Sequence, residues 1–320
     1  LVLEEASRAL DRPVAIDDLQ TPEVRAVAAA MTVACATDGN HGRSVAQGAQ
    51  LVGARAVIFV HAGVSRERID AIARFGAEIV RVEGTYDDSV DEAARVCAER
   101  GWFAVSDTSW PGYERIPGWV MQGYTALVAE ALVQMEHPPT HVFVQAGVGG
   151  VAAAVAGHLA AVLGEDRPKF VVVEPARAAC FHASAAAGRL VRVAPGEPTV
   201  MAMLDCYVPS LVAWRVLSRV ADGFMTVDED DAVSIMNRLA RPLGDDPAIV
   251  AGESGGVGLA GLVVALGDPA ARAALGLGPR SRVFVVVTEG ATDPDLYRRL
   301  VGLEPADVAR NSRPRTEEPR

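Results

Sequence analysis

The sequence predicts an α/β protein made of two doubly wound domains, with mostly parallel sheets and helices on both faces. Three observations lead there. Strand-like and helix-like patterns alternate along most of the chain. The strand segments are nearly continuous Val/Ile-rich runs, the pattern of parallel strands covered on both faces. Polar or glycine-rich turns recur directly after them. At 320 residues the chain can bury a large core and divide into two domains.

Taken in order, the first ten residues carry apolar side chains at helical spacing. Thr21-Pro22-Glu23 reads as a helix start, with a capping hydroxyl and Pro at the first position. Strands follow at 31–36, Arg55–His61, Glu78–Val82 and 102–105, with helices at 41–52, 65–75 and 87–100 between them. Ser65 with Arg68 makes only half of a capping box. The second series opens with a helix at 116–135, stopped by His137-Pro138-Pro139. Next come a strand at His141–Gln145, an Ala-rich helix at 149–163 and a strand at 170–173. Residues 188–199, rich in Gly, Pro and Arg, read as a loop. Helices at Leu211–Val220, 229–241 and 258–266 lead to a last strand at 283–287. The expected partition is a smaller domain at 29–108 and a larger one from 1–28 and 109–310, with 311–320 a disordered tail.

Composition excludes several classes. The net charge of −11 argues against nucleic-acid binding, because phosphate contacts need clustered Lys and Arg. No apolar run approaches the roughly 20 residues needed to span a bilayer, so no membrane partner is expected. Cys35, Cys97, Cys180 and Cys206 show no CxxC or other metal spacing. Cys35 and Cys97 lie in apolar patterns and read as buried thiols, which fits a reduced, cytoplasmic setting. His137 and His141 have HxxxH spacing, but Pro138 and Pro139 between them rule out a shared helical face, so no metal site is read there. Leu1 is not an initiator methionine; the sequence reads as starting inside a longer protein, without a signal peptide.

Two turns carry the chemistry. Gly147-Val148-Gly149-Gly150 follows a strand and opens a helix, so its backbone N–H groups can converge on an anion. It lacks the lysine of a Walker loop and the downstream acid of a dinucleotide fingerprint, for which Glu174 is a poor match. A tight strand-to-helix turn is the plain alternative. Thr37-Asp38-Gly39-Asn40-His41-Gly42 offers a side-chain donor in Asn40 and a carboxylate in Asp38, or a simple capping turn. Asp107 ends another strand. Two carboxylates at strand ends suggest acid–base work. Glu253-Ser254-Gly255 and Thr288-Glu289-Gly290 add two further polar turns. Together these turns suggest a site for a phosphorylated organic cofactor. The only lysine is Lys169.

The segments Ala36 to Arg43, Asp107-Thr108-Ser109-Trp110-Pro111-Gly112-Tyr113, Met121-Gln122-Gly123-Tyr124, Gln145 to Gly150, Glu253-Ser254-Gly255 and Thr288-Glu289-Gly290 stand in an order that resembles the fold-type II pyridoxal-phosphate enzymes, the tryptophan-synthase-β-like superfamily. Within it the chain is similar to the diaminopropionate ammonia-lyases. The resemblance implies pyridoxal 5′-phosphate as cofactor, a small amino-acid substrate and a homodimer. It implies that Gly147, Val148, Gly149 and Gly150 cup the phosphate, with Glu253 also in the cofactor site. It also implies that Asn40 contacts the 3′-oxygen and that Thr288 hydrogen-bonds the pyridine nitrogen. Asp38 would be the base for the D-isomer and Asp107 for the L-isomer of 2,3-diaminopropionate, which would leave as pyruvate and ammonia. The family's Schiff-base lysine would precede Leu1, so the chain alone is expected to be inactive. Met203 and Tyr207 replace small residues of the family and are expected to reshape the substrate pocket. Three alternatives remain: a serine or threonine dehydratase, a non-catalytic ligand-binding relative, and a nicotinamide-dependent α/β oxidoreductase, against which the absent fingerprint acid argues.

Overall fold

The structure, a computed structural model, describes residues 1–37 and 39–311. They form two compact units: Leu1–Asp107 with Arg115–Pro117, and Thr108–Glu114 with the chain from Gly118 onward.

In the first unit, α1 (Val2–Ala9) and α2 (Pro22–Ala29) lead into β1 (Thr32–Ala36), α3 (Asn40–Val52), β2 (Arg55–His61), α4 (Arg66–Ala73), β3 (Glu78–Val82), α5 (Tyr86–Arg100) and β4 (Phe103–Ala104). The sheet order is β3-β2-β1-β4, and every pairing is parallel. Side chains alternate across the sheet, so each strand feeds two cores. Val33, Cys35, Ile58 and Val60 join a cluster that includes Ala46 of α3 and Ile72 of α4. Ala34, Ala36, Val57 and Phe59 join the opposite cluster with Ala93 and Cys97 of α5. Both faces are buried, which is why β1 and β2 read as unbroken apolar runs. Burying each large side chain of β2 contributes about 1.5–3 kcal/mol. Local signals set the helix ends. Thr85 and Asp88 form a reciprocal capping box, and Gly101 closes α5 in the left-handed region at φ 66°. Ser65 accepts from the Arg68 N–H at 3.5 Å and starts α4. The Thr21 hydroxyl does not cap α2; it donates backward to the Asp18 carbonyl at 2.8 Å, while Pro22 takes the first helical position as expected. Residues 1–28, expected with the larger domain, group here, because α1 packs on α2, α2 on α3, and Leu1 on the Val33–Ile58 cluster.

The second unit takes the helix α6 (Arg115–Gln134) from Gly118 onward. It continues through β5 (His141–Gln145), α7 (Gly150–Leu163), β6 (Lys169–Pro175), α8 (Cys180–Ala187), α9 (Leu211–Val220), β7 (Gly223–Val227), α10 (Glu229–Ala240), α11 (Val257–Gly267), α12 (Pro269–Leu275), β8 (Val283–Val285), α13 (Pro294–Val301) and α14 (Pro305–Arg310). Its sheet order is β7-β6-β5-β8, again parallel throughout. Val142, Val144, Phe170 and Val172 face α7 and α9, while Phe143, Val171 and Val173 face α10 and α11. Gly258 and Gly261 bring α11 onto the sheet: a Cβ there would stand 2.4 Å from the Phe143 carbonyl oxygen and 2.6 Å from Val173 Cγ2. The strand β7 is absent from the sequence reading, because Gly223 and Thr226 dilute a short edge strand. Of the expected tail at 311–320, residues 312–320 lie outside the described residues. Among the described residues no single helix is long and apolar enough to cross a membrane.

Candidate functional site

Both sheets share one topological property. In the first, β2 and β3 lie to one side of β1 and β4 to the other. In the second, β6 and β7 lie to one side of β5 and β8 to the other. The winding therefore reverses at β1/β4 and at β5/β8, and ligands of open α/β sheets bind outside the carboxyl ends of strands at such reversals. The sequence-predicted residues sit at those two places.

In the first unit the turn after β1 is built by Thr37. Its hydroxyl accepts the N–H groups of Gly39 at 2.9 Å and Gly42 at 3.0 Å, which caps α3. Gly42 is required there, since a Cβ would meet Thr37 Cγ2 at 2.3 Å. Asn40 is the first residue of α3 and is half-buried. His41 Nε2 donates to the Val105 carbonyl at 2.7 Å, tying the first turn of α3 to the end of β4. Asp107 follows β4, half-buried, and its Oδ1 accepts from the Tyr86 hydroxyl at 3.1 Å. Burial, and after it the Asp107 charge, push the Cys35 thiol of β1 well above its ordinary range. Asp38 lies outside the described residues.

In the second unit the turn Gly147–Gly150 joins β5 to α7. Gly149 has φ 90° and a Cβ on it would stand 2.2 Å from Phe181 Cζ, so only glycine fits. The N–H groups of Gly147, Val148, Gly149 and Gly150 have no acceptor among the described residues. Of the turn's carbonyls, Val148 O accepts the Ser210 N–H at 3.0 Å. Four converging donors at the start of a fourteen-residue helix make an anion cradle. The segment 203–206 forms one wall: Met203 O and Cys206 Sγ come within 3.0 and 3.1 Å of where a Gly147 Cβ would be. Met203 donates its N–H to Ser254 Oγ at 3.1 Å, and the Tyr207 hydroxyl donates to Asp205 Oδ1 at 2.7 Å.

Thr288 follows β8. Its N–H donates to the Gly255 carbonyl at 3.3 Å, and Gly252 N–H donates to Glu289 O at 3.0 Å, so the two polar turns are laced together. Glu253 is buried within this lacing. Gln145, the last residue of β5, connects everything: its Nε2 reaches Gly255 O, Val286 O and Thr288 Oγ1, and its Oε1 accepts the Gly258 N–H. The structure thus ties Gln145, two residues before the glycine turn, to Thr288 and to the 252–255 turn that contains Glu253.

Sequence reasoning gave no role to Gln145, Tyr86 or Glu174. For Gln145 the signal is an amide closing an otherwise apolar strand directly before a glycine turn. Glu174 is fully buried at the end of β6 and accepts the Phe181 and His182 N–H groups, each at 2.7 Å, capping α8. Burial raises its carboxyl to about 7 against the pull of those two N–H groups. Lys169 begins β6, where it pairs with His141, the first residue of β5. That places it about 20 Å along the sheet from Gly147. Its Nζ donates to the Ala274 carbonyl at 3.2 Å.

The comparisons with known proteins agree with this geometry. A family model described as "Pyridoxal-phosphate dependent enzyme" matches residues 12–289. Diaminopropionate ammonia-lyase of Escherichia coli (strain K12) is 40% identical over 282 residues, covering 86% of this chain and 71% of that protein. The Salmonella typhimurium (strain LT2) enzyme of the same name is 37% identical over 296 residues, covering 88% and 72%. A crystal structure of the E. coli enzyme in complex with an aminoacrylate-PLP azomethine reaction intermediate superposes with a TM-score of 0.80 at 40% identity, covering 85% of this chain and 71% of that one. The chain belongs to the pyridoxal-phosphate dependent enzymes and, within them, to the diaminopropionate ammonia-lyases.

Proposed function

We propose that this chain binds pyridoxal 5′-phosphate and carries out β-elimination on 2,3-diaminopropionate, giving pyruvate and ammonia. The observation that carries this reading is the pairing, on neighbouring strands β5 and β8, of a glycine turn with unspent N–H donors and a hydroxyl with an unspent proton.

The residues present fit the cofactor at its two polar ends. Gly147, Val148, Gly149 and Gly150 hold the phosphate, and Thr288 donates to the pyridine nitrogen. A hydroxyl, unlike a carboxylate, can donate to that nitrogen and so would be able to meet it unprotonated. Glu253, buried in the turn that is laced to Thr288, is assigned to the same site. By the resemblance, Asn40, the first residue of α3, would be the partner of the 3′-oxygen. The cofactor, when bound, supplies the electron sink that acidifies the proton on the substrate Cα.

Asp107 takes that proton from the L-isomer. Its Oδ1 is engaged by Tyr86, so Oδ2 is the oxygen left for the substrate. By the resemblance, Asp38 takes the proton from the D-isomer. The β-amino group then leaves as ammonia, and water completes the reaction to pyruvate and a second ammonia. The 40% identity to a diaminopropionate ammonia-lyase supports this substrate over serine. Steady-state pyruvate release by the holoenzyme tests it. D- and L-2,3-diaminopropionate should both be turned over faster than D- or L-serine. Faster turnover of serine or threonine would make the enzyme a dehydratase instead.

A further inference from the structure

We infer that Gln145 is a positioning residue that dictates the direction in which the Thr288 hydroxyl donates, and through it the protonation of the cofactor ring. The inference rests on the cofactor reading above and deepens it.

The side-chain amide of Gln145 is 4% exposed and makes four contacts. Nε2 lies 2.9 Å from Gly255 O, 3.0 Å from Val286 O and 2.7 Å from Thr288 Oγ1; Oε1 lies 3.1 Å from the Gly258 nitrogen. The partners fix the orientation of the amide. Two carbonyls can only accept and a backbone N–H can only donate, so a flipped amide would face like against like at three contacts. Each such contact would leave a buried polar group unpaired, at about 1–3 kcal/mol apiece.

The consequence falls on Thr288. An amide nitrogen has no lone pair to offer, so at the 2.7 Å contact the threonine oxygen must be the acceptor. Its own proton then points away from Gln145. No described residue accepts it, and Thr288 is half-buried rather than sealed. A hydroxyl rotor on its own serves a ring nitrogen equally well as donor or as acceptor. As donor it meets a bare nitrogen; as acceptor it meets a protonated one. Donation from Gln145 occupies one of the two lone pairs of that oxygen and turns the proton away from Gln145, which weights the rotor toward donating to the ring. Gln145 sits two residues before Gly147, so one strand end both starts the phosphate cradle and sets the polarity at the far end of the ring.

A purely structural Gln145, tying β5 to β8 and α11, would affect folding and affinity but not the protonation state of a bound ring. The test uses pyridoxine 5′-phosphate labelled with ¹⁵N in the ring, whose alcohol replaces the aldehyde so that binding needs no lysine. Its ¹⁵N shift is followed against pH on the wild type, Gln145→Glu and Gln145→Met. In the wild type the ring nitrogen should be unprotonated at neutral pH. In Gln145→Glu a carboxyl oxygen accepts the Thr288 proton and turns the threonine lone pairs outward. In Gln145→Met the rotor is released. Both variants should protonate the ring at a pH about one unit higher or more, a tenfold change in that equilibrium. An unchanged titration in a folded variant that still binds overturns the role of Gln145 and leaves the cofactor site standing. If neither variant folds, the wild type decides alone: a protonated ring contradicts the inference. Failure of the wild type to bind pyridoxine 5′-phosphate overturns the cofactor reading and this one with it.

Discussion

Asp107 gives one carboxylate oxygen to Tyr86 and keeps the other, which is the posture of a base whose orientation is set before substrate arrives. Asp107→Asn should therefore cost about 100-fold or more in kcat on L-2,3-diaminopropionate while the D-isomer loses far less. Equal loss on both isomers, read from initial rates of pyruvate formation, would remove the two-base scheme. Glu174 makes a second prediction. Its carboxyl is raised from an ordinary 4.5 to about 7 by burial, opposed by the N–H groups of Phe181 and His182. Between those two values the folded state holds a proton that the unfolded chain has released. The stabilisation is thus complete below about pH 4.5 and is lost as pH rises through about 7. Denaturant melts of wild type against Glu174→Gln should show the wild-type advantage shrinking as pH rises through that window; a pH-independent difference would refute the assignment. None of this was visible in the sequence. Glu174 was legible only as a poor ribose partner, because nothing in Glu174-Pro175 announces that α8 turns its N-terminus back onto that carboxylate. Asp107, by contrast, was picked out by its place after a strand.

At the scale of elements, the phosphate cradle depends on how α7 leaves β5. Gly149 adopts φ 90° with Phe181 of α8 directly against its Cα, so Glu174, α8 and the turn form one stack. Gly149→Ala should cost about 1–3 kcal/mol from overpacking, beyond the backbone strain. It should also weaken pyridoxine 5′-phosphate binding at least about tenfold, roughly 1.4 kcal/mol. Thermal melts and a fluorescence titration measure both; an unchanged midpoint would mean the turn adapts. The elements themselves were largely legible. Val57, Ile58, Phe59 and Val60 have no exposed face to break their run, Ser65 starts a helix where one was expected, and α5 lies within a residue of the expected 87–100. The missed elements were the short ones. The strand β7 is diluted by Gly223 and Thr226, and α8 is an eight-residue helix whose Cys-Phe-His-Ala-Ser start carries no capping residue of its own.

Across the whole chain, one topological rule accounts for where the site residues fall. Each unit reverses its winding once, at β1/β4 and at β5/β8. The Thr37 turn and Asp107 flank the first reversal, and the Gly147 turn and Thr288 flank the second. The alternation of strands and helices was enough to read the fold class. The strand order was not, because a parallel strand on the left of β1 and one on its right have the same apolar pattern. Gln145 was hidden for a related reason: its partners, Gly255, Gly258, Val286 and Thr288, come from segments more than a hundred residues away. The central claim is elimination of a β-amino group, and the ratio of ammonia to pyruvate tests it most directly. With 2,3-diaminopropionate as substrate the holoenzyme should release two ammonia per pyruvate, from either isomer. One ammonia per pyruvate, or ammonia without pyruvate, would contradict the account.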